Sequence, residues 1–549
     1  MTKENSGQVD SIIKLLQKNN KDSPALSRML ATETDRFVNF SRRIPGLLFD
    51  FSRTAISQQD LTALLGLAGQ AGVAAARDEL FSGKPINNTE GRPVLHWLWR
   101  ERNFHEHLTA NEAEDCRQAL LRLQGIALAL HRGHLPGAAN DAAAQIKHVI
   151  HVGIGGSLLG PRLVCDAFAA GAATPKIHFI SSVDAYEREQ LLARIKPVET
   201  VIVLVSKSFT TSEVLEHARR LLQWQSRSLD REACSQRLFA VTAAAEKAIA
   251  LGVPAENALQ MGEWTGGRFS LWSPVGLCSA ITMGPEAFAR LCAGGAAMDR
   301  HFRDAPPGEN LPIIHALLSV WHRNVCGYSC RGIVPYDGRL KGLPAWLQQV
   351  QMESNGKSVT REGAAVCLDT SPVVLGDCGT DAQHALFQAF HQGTEIVPLD
   401  FIGIIKPDHD DAASQAMLLA HMLAQASALA LGRGPDPTTS AMQAEGKSPE
   451  QIQSLLPHRV MPGNRPSNLF LLDSLSPENL GMLLVLYEHS VFVESVIWKI
   501  NAFDQWGVEL GKVMADTIGP ALRGKPGRSS HGIPGLDGLI EYIRDRNSP

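Results

Sequence analysis

This sequence lacks a large excess of charge of either sign. Its 549 residues include 52 lysines and arginines and 56 aspartates and glutamates. Nucleic acid and acidic membrane surfaces are therefore not expected as its main partners. An anion bound by this protein must be held by a local site. The nine cysteines form no C-x-x-C pair, and an odd number of such thiols is typical of free cysteines in a reducing compartment.

Long continuous apolar runs are missing as well. Residues 1–19 lack the apolar segment of a secretory signal, so we expect a cytoplasmic protein. The most membrane-like segment, 412–432, contains no Asp, Glu, Lys or Arg, but polar residues such as Gln415 and His421 interrupt it. It therefore predicts a buried helix, and we expect no association with a membrane.

The pattern of apolar residues predicts an α/β protein with two successive α/β domains after a helical N-terminal region. Residues 1 to about 145 are predicted to be helical, with a capping box at Ser57 that opens a helix reaching Phe81. Beyond Ile146, apolar runs of strand length alternate with helical stretches, which favours parallel sheets covered by helices. A cluster of breakers at 304–308 separates two such regions. The predicted strands are 148–153, 177–182, 200–206, 238–242, 331–337, 364–371, 373–377, 395–405 and 468–475.

A glycine-rich loop, GIGGSLLG at 153–160, follows the first predicted strand. Glycine lets a backbone approach a ligand closely, and a helix N-terminus offers free N–H groups to an anion. Leu158 stands at the third-glycine position of the dinucleotide fingerprint, so a nicotinamide enzyme is disfavoured. No Walker-type lysine follows, so the segment is not a Walker loop either. On its own, the loop is equally compatible with a tight strand-to-helix turn.

A hydroxyl-rich loop, SKSFTTSE at 206–213, follows the strand predicted at 200–206. It carries five hydroxyls and one lysine where a helix should begin, whereas an N-cap requires only one hydroxyl. Ligands of open α/β sheets bind at the carboxyl ends of the strands. Two anion loops at one sheet edge therefore predict a small phosphorylated ligand.

Two residues at predicted helix ends are candidates for proton transfer. Glu353 lies in the last turn of a short helix that is expected to stop at Asn355 and Gly356. The negative end of the helix dipole disfavours the charged carboxylate there, which makes this group a better proton acceptor. His384 is expected near the start of a helix capped by Thr380, where a neutral imidazole is favoured. An exposed acid and a capping histidine are the structural alternatives, and neither residue is decisive alone.

Two basic residues complete the set of candidates. Arg268 follows two glycines in GGRFS, and these would bring its guanidinium close to a ligand oxyanion. Lys512 lies within a predicted helix, where most lysines are simply solvated.

Seven segments, in order along the chain, resemble the glucose-6-phosphate isomerase (phosphoglucose isomerase) family. GGRFS with its flanks and FDQWGVELGK are the most specific of them. The segments are GIGGSLLG (153–160), SKSFTTSE (206–213), GGRFSLWSPVGL (266–277), QMESNGK (351–357), GTDAQHALFQAFHQGTE (379–395), GNRPSN (463–468) and FDQWGVELGK (503–512).

The resemblance implies an enzyme of glycolysis and gluconeogenesis that interconverts glucose 6-phosphate and fructose 6-phosphate through a cis-enediol. It implies Glu353 as the base acting between C1 and C2, Arg268 as the cation that stabilises the enediolate, and His384 and Lys512 as the residues that open the sugar ring. Many family members have threonine where this chain has Ser208, and the hydroxyl is retained. The implied substrate-binding residues are Gly156, Ser157, Ser206, Lys207, Ser208, Thr211, Gln349 and Gln505.

The same resemblance implies an architecture of two sugar-isomerase (SIS) domains in a homodimer, with His384 reaching the partner's site. It implies no cofactor and no metal. The expected division is a helical region at 1–115 that packs on the second domain, SIS domains at 116–286 and 305–500, and a C-terminal helix and arm at 501–549.

Two rival functions remain besides the nicotinamide enzyme. A metal hydrolase could use the cluster at 105–107 or the one at 408–411, but neither has a familiar ligand spacing. A non-catalytic sugar-phosphate sensor would keep the hydroxyl-rich loop and lose the acid–base residues, and this chain has both.

Overall fold

The computed structural model describes residues 3–137, 145–169, 174–523 and 535–547. Two compact units divide the chain, one formed by residues 1–502 and the other by residues 503–549. The strands are β1 (Ser41–Ile44), β2 (Leu47–Arg53), β3 (His148–Val152), β4 (Lys176–Ile180), β5 (Thr200–Val205), β6 (Leu238–Thr242), β7 (Ala258–Gln260), β8 (Cys330–Tyr336), β9 (Val373–Gly376), β10 (Leu399–Lys406) and β11 (Ser467–Ser474).

Helices cover both sheets, and much of the rest of the chain is helical. The α-helices are α1 (Lys3–Asn20), α2 (Leu26–Thr32), α3 (Arg36–Asn39), α4 (Gln58–Gln70), α5 (Val73–Phe81), α6 (Leu98–Glu101), α7 (Ala110–His131), α8 (Leu159–Phe168), α9 (Ala185–Leu192), α10 (Ser212–Gln225), α11 (Arg231–Gln236), α12 (Ala245–Leu251), α13 (Leu277–Met283), α14 (Pro285–Asp304), α15 (Leu311–Val320), α16 (Leu343–Gln348), α17 (Gly379–Ala385), α18 (Phe387–Gln392), α19 (Ala412–Leu431), α20 (Pro435–Ala444), α21 (Pro449–Arg459), α22 (Pro477–Trp498), α23 (Glu509–Leu522) and α24 (Asp537–Asn547). Short 3₁₀ helices include Gly155–Ser157 and Gly267–Trp272, and π-helical turns lie at Trp321–Val325 and Gln349–Glu353.

The first sheet is entirely parallel, with strand order β4-β3-β5-β6-β7. Every residue of β5 is buried, as expected for a strand covered on both faces. Ile150, Leu204 and Ala240 of this sheet pack with Leu221 of α10 in one apolar cluster. The α/β fold class and the four strands predicted for this region are confirmed, and the short strand β7 was not predicted.

The second sheet is mixed, which corrects the expectation of two purely parallel sheets. Its order is β1-β2-β11-β10-β8-β9, and β2 runs antiparallel to both β1 and β11. The N-terminal region therefore contributes a hairpin and is not only helical. Pro45 and Gly46 form the hairpin turn, where Gly46 has φ +86°, a conformation that favours glycine.

Other local predictions also need correction. The strand predicted at 364–371 is absent, since this segment forms only one isolated bridge between Val359 and Ala365. The long helix predicted from Ser57 is broken at Gly72 (φ +76°) into α4 and α5. The capping box at Ser57 and the helix start at Ser476 are confirmed. The predicted domain boundaries stay predictions.

Among the described residues, two helices are long and apolar enough to span a membrane by length and composition alone, α19 and α22. The apolar window of α22 is entirely buried, whereas only 28% of the corresponding window in α19 is buried. The prediction that 412–432 forms a helix is confirmed, but the prediction that this helix is buried is largely wrong.

Candidate active site

The two predicted anion loops lie side by side because β3 and β5 are parallel neighbours. Val152 at the end of β3 pairs with Leu204 near the end of β5. The loops that follow β3 and β5 therefore leave the sheet at the same edge, where ligands of open α/β sheets bind.

The segment 206–211, called the hydroxyl turn below, joins β5 to α10. Its hydroxyls pair with one another: Ser206 Oγ lies 2.9 Å from Thr211 Oγ1, and Ser208 Oγ lies 2.7 Å from Thr210 Oγ1. Thr211 is the N-cap residue of α10, but its side chain does not cap the helix. The hydroxyl pairs and the N-terminal amides of a helix together form a suitable environment for an anion without a large net charge.

A strained residue shapes the hydroxyl turn. Phe209 has φ +51° although it is not a glycine, and its ring is buried in the apolar cluster beneath the first sheet. A left-handed conformation costs a bulky residue about 1 kcal/mol or more. Burial of the ring offsets this cost and holds the turn in place.

Lys207 connects the hydroxyl turn to the segment that leads to Arg268. Its Nζ donates a hydrogen bond to the Glu263 carbonyl oxygen at 2.6 Å. Burial lowers the pKa of Lys207, with a smaller contribution from Arg92. The side chain therefore has a structural partner of its own.

The glycine-rich loop also lies against the segment that carries Arg268. A Cβ placed on Gly156 would come within 2.2 Å of the Gly267 carbonyl carbon and 2.6 Å of the Arg268 nitrogen. Gly155 (φ +56°) faces the Gln349 amide, whose Nε2 would lie 2.9 Å from an added Cβ. Glycine is required at both positions because two backbones and one side chain meet there.

His151 fixes the end of the glycine-rich loop. Its Nε2 lies 2.7 Å from the Ser157 carbonyl oxygen, and because that oxygen can only accept, Nε2 is the donor. Burial lowers the pKa of His151 to about 4, so the imidazole is neutral near pH 7.

Arg268 and Glu353 form the charged centre of the site. Arg268 is buried and its Nε donates to Ser354 Oγ at 2.7 Å, while Nη2 donates to the Ala502 carbonyl oxygen at 2.5 Å. Arg268 Nη1 lies 3.6 Å from Glu353 Oε2, too far for a good hydrogen bond. Within the described residues, this buried carboxylate oxygen has no hydrogen-bond partner.

The far end of the 3₁₀ helix Gly267–Trp272 is anchored in a buried ionic network. Trp272 Nε1 donates to Glu488 Oε1 at 2.8 Å, and Arg100 Nη1 donates to Glu488 Oε2 at 2.9 Å. Arg100 also forms two bonds to Asp299, at 2.6 and 2.7 Å. Such fully paired charges hold a segment firmly, because breaking one pair leaves a buried charge uncompensated.

Glu353 lies in the π-helical turn Gln349–Glu353, which continues α16. The helix ends at Asn355, as predicted, but neither Asn355 nor Gly356 has a positive φ, so the helix does not end in the left-handed conformation that an Asn-Gly pair favours. Gly356 is needed for a different reason: an added Cβ would lie 2.4 Å from the Met352 carbonyl oxygen. Single π turns occur frequently at functional sites.

Comparisons with known proteins identify the family of this chain. A family model described as phosphoglucose isomerase matches residues 50–540. The chain belongs to the phosphoglucose isomerase family. A glucose-6-phosphate isomerase from Xanthobacter autotrophicus is 43% identical over 522 residues, covering 94% of each chain. One from Brucella ovis is 40% identical over 546 residues, covering 98% of this chain and 99% of its own.

A solved structure of a phosphoglucose isomerase family member has the same fold. The glucose-6-phosphate isomerase from Chlamydia trachomatis superposes with a TM-score of 0.83 at 30% identity, covering 97% of this chain and 98% of its own.

His384 is not joined to the Arg268–Glu353 centre by any contact among the described residues of the first unit. His384 is exposed in α17 and forms no hydrogen bond or ion pair within the described ranges. Cys378, not Thr380, is the N-cap of that helix, so His384 lies in its last turn and not near its start. Lys512 is exposed in α23, and Gln505 precedes it in the same unit, residues 503–549.

Sequence reasoning missed the residues that hold the centre in place. Ser354 directly contacts Arg268. It follows Glu353 in the motif QMESNGK, from which only the acid was predicted to belong to the centre. Glu488 and Glu494 are single carboxylates in the apolar run of α22. That pattern was an available signal, because acids inside an apolar helix are seldom buried without a specific partner.

In the rival cluster at 408–411, two of the acids have structural partners. Asp408 pairs with Arg339 at 2.5 Å, and Asp411 caps α19 by accepting from the Ser414 nitrogen at 2.9 Å. Over the part of the chain that is described, no group of three or more His, Cys, Asp or Glu residues could hold a metal ion.

Proposed function

We propose that this chain interconverts D-glucose 6-phosphate and D-fructose 6-phosphate. The observation that carries the proposal is the meeting of four segments: the glycine-rich loop touches Gly267 and Arg268, Lys207 of the hydroxyl turn holds Glu263, and Arg268 lies beside Glu353. Family membership supports the same reaction.

The hydroxyl turn would bind the 6-phosphate through the hydroxyls of Ser206, Ser208 and Thr211 and the backbone of Lys207. Ser157 and Gly156 would contribute from the neighbouring loop. Gln349 would bind the sugar, and its buried Oε1, which has no hydrogen-bond partner among the described residues, supports this role. A sugar hydroxyl could donate to that oxygen.

In the isomerisation, Glu353 would remove the proton from C2 of the open-chain aldose. The electrons move toward the C1 carbonyl oxygen, which becomes the enediolate oxygen, and Arg268 would stabilise the developing charge from its fixed position. Glu353 would then return the proton to C1, while the proton of the C2 hydroxyl moves to the oxygen on C1. The product is the ketose, and no atom is gained or lost.

His384 and Lys512 would open the ring by proton exchange at the ring oxygen and the anomeric hydroxyl. The exposure of His384 is consistent with a homodimer in which it serves the partner's site. We propose this assembly, and a cytoplasmic location, as parts of the same function.

A coupled assay that follows glucose 6-phosphate formed from fructose 6-phosphate tests the proposal. We expect rapid turnover that EDTA does not change, and much poorer use of unphosphorylated fructose. Absence of product would contradict the proposed reaction, and loss of activity in EDTA would revive the metal-dependent alternative.

A further inference from the structure

Glu494 is a fully buried carboxylate on α22, with 0% of its surface exposed. Its Oε2 accepts two hydrogen bonds, from Gln351 Nε2 at 2.5 Å and from Asn355 Nδ2 at 3.0 Å. Both donors belong to the segment that carries Glu353. Glu494 Oε2 on α22 therefore binds this segment at two points.

The two donors bracket Glu353 in sequence. Gln351 lies inside the π-helical turn, and Asn355 lies at its C-terminal side, where its Nδ2 also donates to the Val491 carbonyl oxygen at 3.0 Å. A π turn has poorer intrinsic stability than an α turn and persists where tertiary contacts support it. The contacts to α22 provide that support on both sides of Glu353.

Glu353 itself lacks such a constraint. Its buried Oε2 has no hydrogen-bond partner in the described part of the chain, and the guanidinium of Arg268 is 3.6 Å away. The position from which the Glu353 side chain extends is set by the backbone, which Gln351 and Asn355 hold against α22.

The need for an acceptor can be separated from the need for a charge. Burial raises the pKa of Glu494, and the nearby Arg331 only partly opposes this effect. Arg331 Nη1 lies 3.9 Å from Glu494 Oε1, beyond hydrogen-bond distance. A glutamine carbonyl oxygen at this position could accept from both amides equally well.

We propose that Glu494 is a positioning residue for the reaction, which holds the π-helical turn so that the Glu353 carboxylate faces the sugar carbon. The inference rests on the proposed role of Glu353 as the base. It goes beyond that role because Glu494 touches neither substrate nor reacting atoms.

The test compares Glu494→Leu with Glu494→Gln by steady-state kinetics and thermal unfolding. We expect Glu494→Leu to lower kcat about tenfold or more with KM within about threefold, because a small displacement of a reacting group slows chemistry more than binding. Glu494→Gln should restore kcat to within about threefold of the unmodified protein. Ser495→Ala is the matched control, since its hydroxyl donates to the Phe492 carbonyl oxygen of its own helix, and it should leave kcat unchanged.

Two results would overturn the proposal: a folded Glu494→Leu protein with unchanged kcat, or a Glu494→Gln protein as impaired as Glu494→Leu. If Glu494→Leu does not fold, Gln351→Met removes one donor, and an unchanged kcat there has the same meaning. Glu353→Gln is measured in parallel. If it is active, the proposed base is wrong; if it is inactive while Glu494→Leu is fully active, only the positioning role is wrong.

Discussion

The hydroxyl turn and the Arg268–Glu353 centre are proposed to bind opposite ends of one substrate, but they are built differently. In the hydroxyl turn, the hydroxyls satisfy one another in pairs, and the lysine Lys207 is held by the Glu263 carbonyl oxygen. In the centre, Arg268 is buried, and Ser354 and Ala502 hold its guanidinium. The first region can release its internal bonds to an incoming phosphate, whereas the second changes little when the sugar binds.

This difference indicates a division of labour between binding and chemistry. A fixed charge in a site that excludes water stabilises a transition state without reorganisation. Paired hydroxyls instead exchange one set of hydrogen bonds for another, which favours binding of modest strength. Substitutions in the centre should therefore lower kcat, and substitutions in the hydroxyl turn should raise KM.

The largest effect is expected for Glu353→Gln, because the amide cannot accept the C2 proton. We predict a fall in kcat of about 10²-fold or more, with KM little changed. Steady-state kinetics in both directions measures this. Turnover close to that of the unmodified protein would remove Glu353 from the mechanism and, with it, the proposed division.

Arg268→Lys tests whether a fixed guanidinium is needed or only a positive charge. An ammonium cannot keep the separate bonds to Ser354 and Ala502 while facing Glu353. We predict a fall in kcat/KM of about 10²-fold. A loss confined to KM would place Arg268 with the binding residues instead.

Gly156→Ala tests the contact between the glycine-rich loop and the segment that carries Arg268. The added Cβ would meet the Gly267 backbone at 2.2 Å, so the glycine-rich loop and Arg268 must move apart. We predict a fall in kcat/KM of about tenfold or more, because displacement of a charge-stabilising group slows the reaction. The control is Gly125→Ala in α7, where an added Cβ meets nothing within 4 Å.

The double change Ser206→Ala and Thr211→Ala removes one hydroxyl pair from the hydroxyl turn. We predict that KM for fructose 6-phosphate rises about tenfold while kcat stays within about threefold, since two hydrogen bonds to a charged group are lost. Ser212→Ala is the neighbouring control, because that hydroxyl already donates to Glu213 Oε2 at 2.9 Å. An unchanged KM would show that the phosphate binds elsewhere.

The smallest effect concerns pH and the anchor of the Arg268 helix. Burial raises the pKa of Glu488 from 4.5 to about 7, so the folded state binds the proton more tightly than the unfolded state. This group's contribution to stability is present at low pH and is lost as the pH rises between these values. Relative to Glu488→Gln, the unmodified protein should lose about 1–3 kcal/mol of unfolding free energy between pH 5 and pH 7.5. Urea unfolding at the two pH values measures the difference, and an equal change in both proteins would contradict it.

The sequence predicted the parallel sheet and its loops well because both depend on local patterns. Strands such as β5 are continuous apolar runs, and the loops after β3 and β5 are rich in the residues that anion sites use. The β1–β2 hairpin was missed although Pro45 and Gly46 are a turn signal. Its strands are short, and they form because β11 offers an edge that lies far away in sequence.

The geometry around Glu353 could not be predicted from local sequence. The π turn depends on Glu494, which lies 143 positions along the chain from Gln351. The sequence favours Thr380 as the N-cap of the His384 helix, whereas the structure uses Cys378, which forms no side-chain cap. A hydroxyl in capping-box spacing does not by itself fix where a helix begins.

A crystal structure of the Glu353→Gln protein with glucose 6-phosphate is the most direct test of the account. It predicts phosphate oxygens within hydrogen-bond distance of Ser206 and Thr211, with the substituted amide at position 353 within about 3.5 Å of C1 or C2 and the guanidinium of Arg268 beside the oxygen on C1. A phosphate bound away from the hydroxyl turn, or a sugar whose first two carbons lie out of reach of position 353, would contradict it.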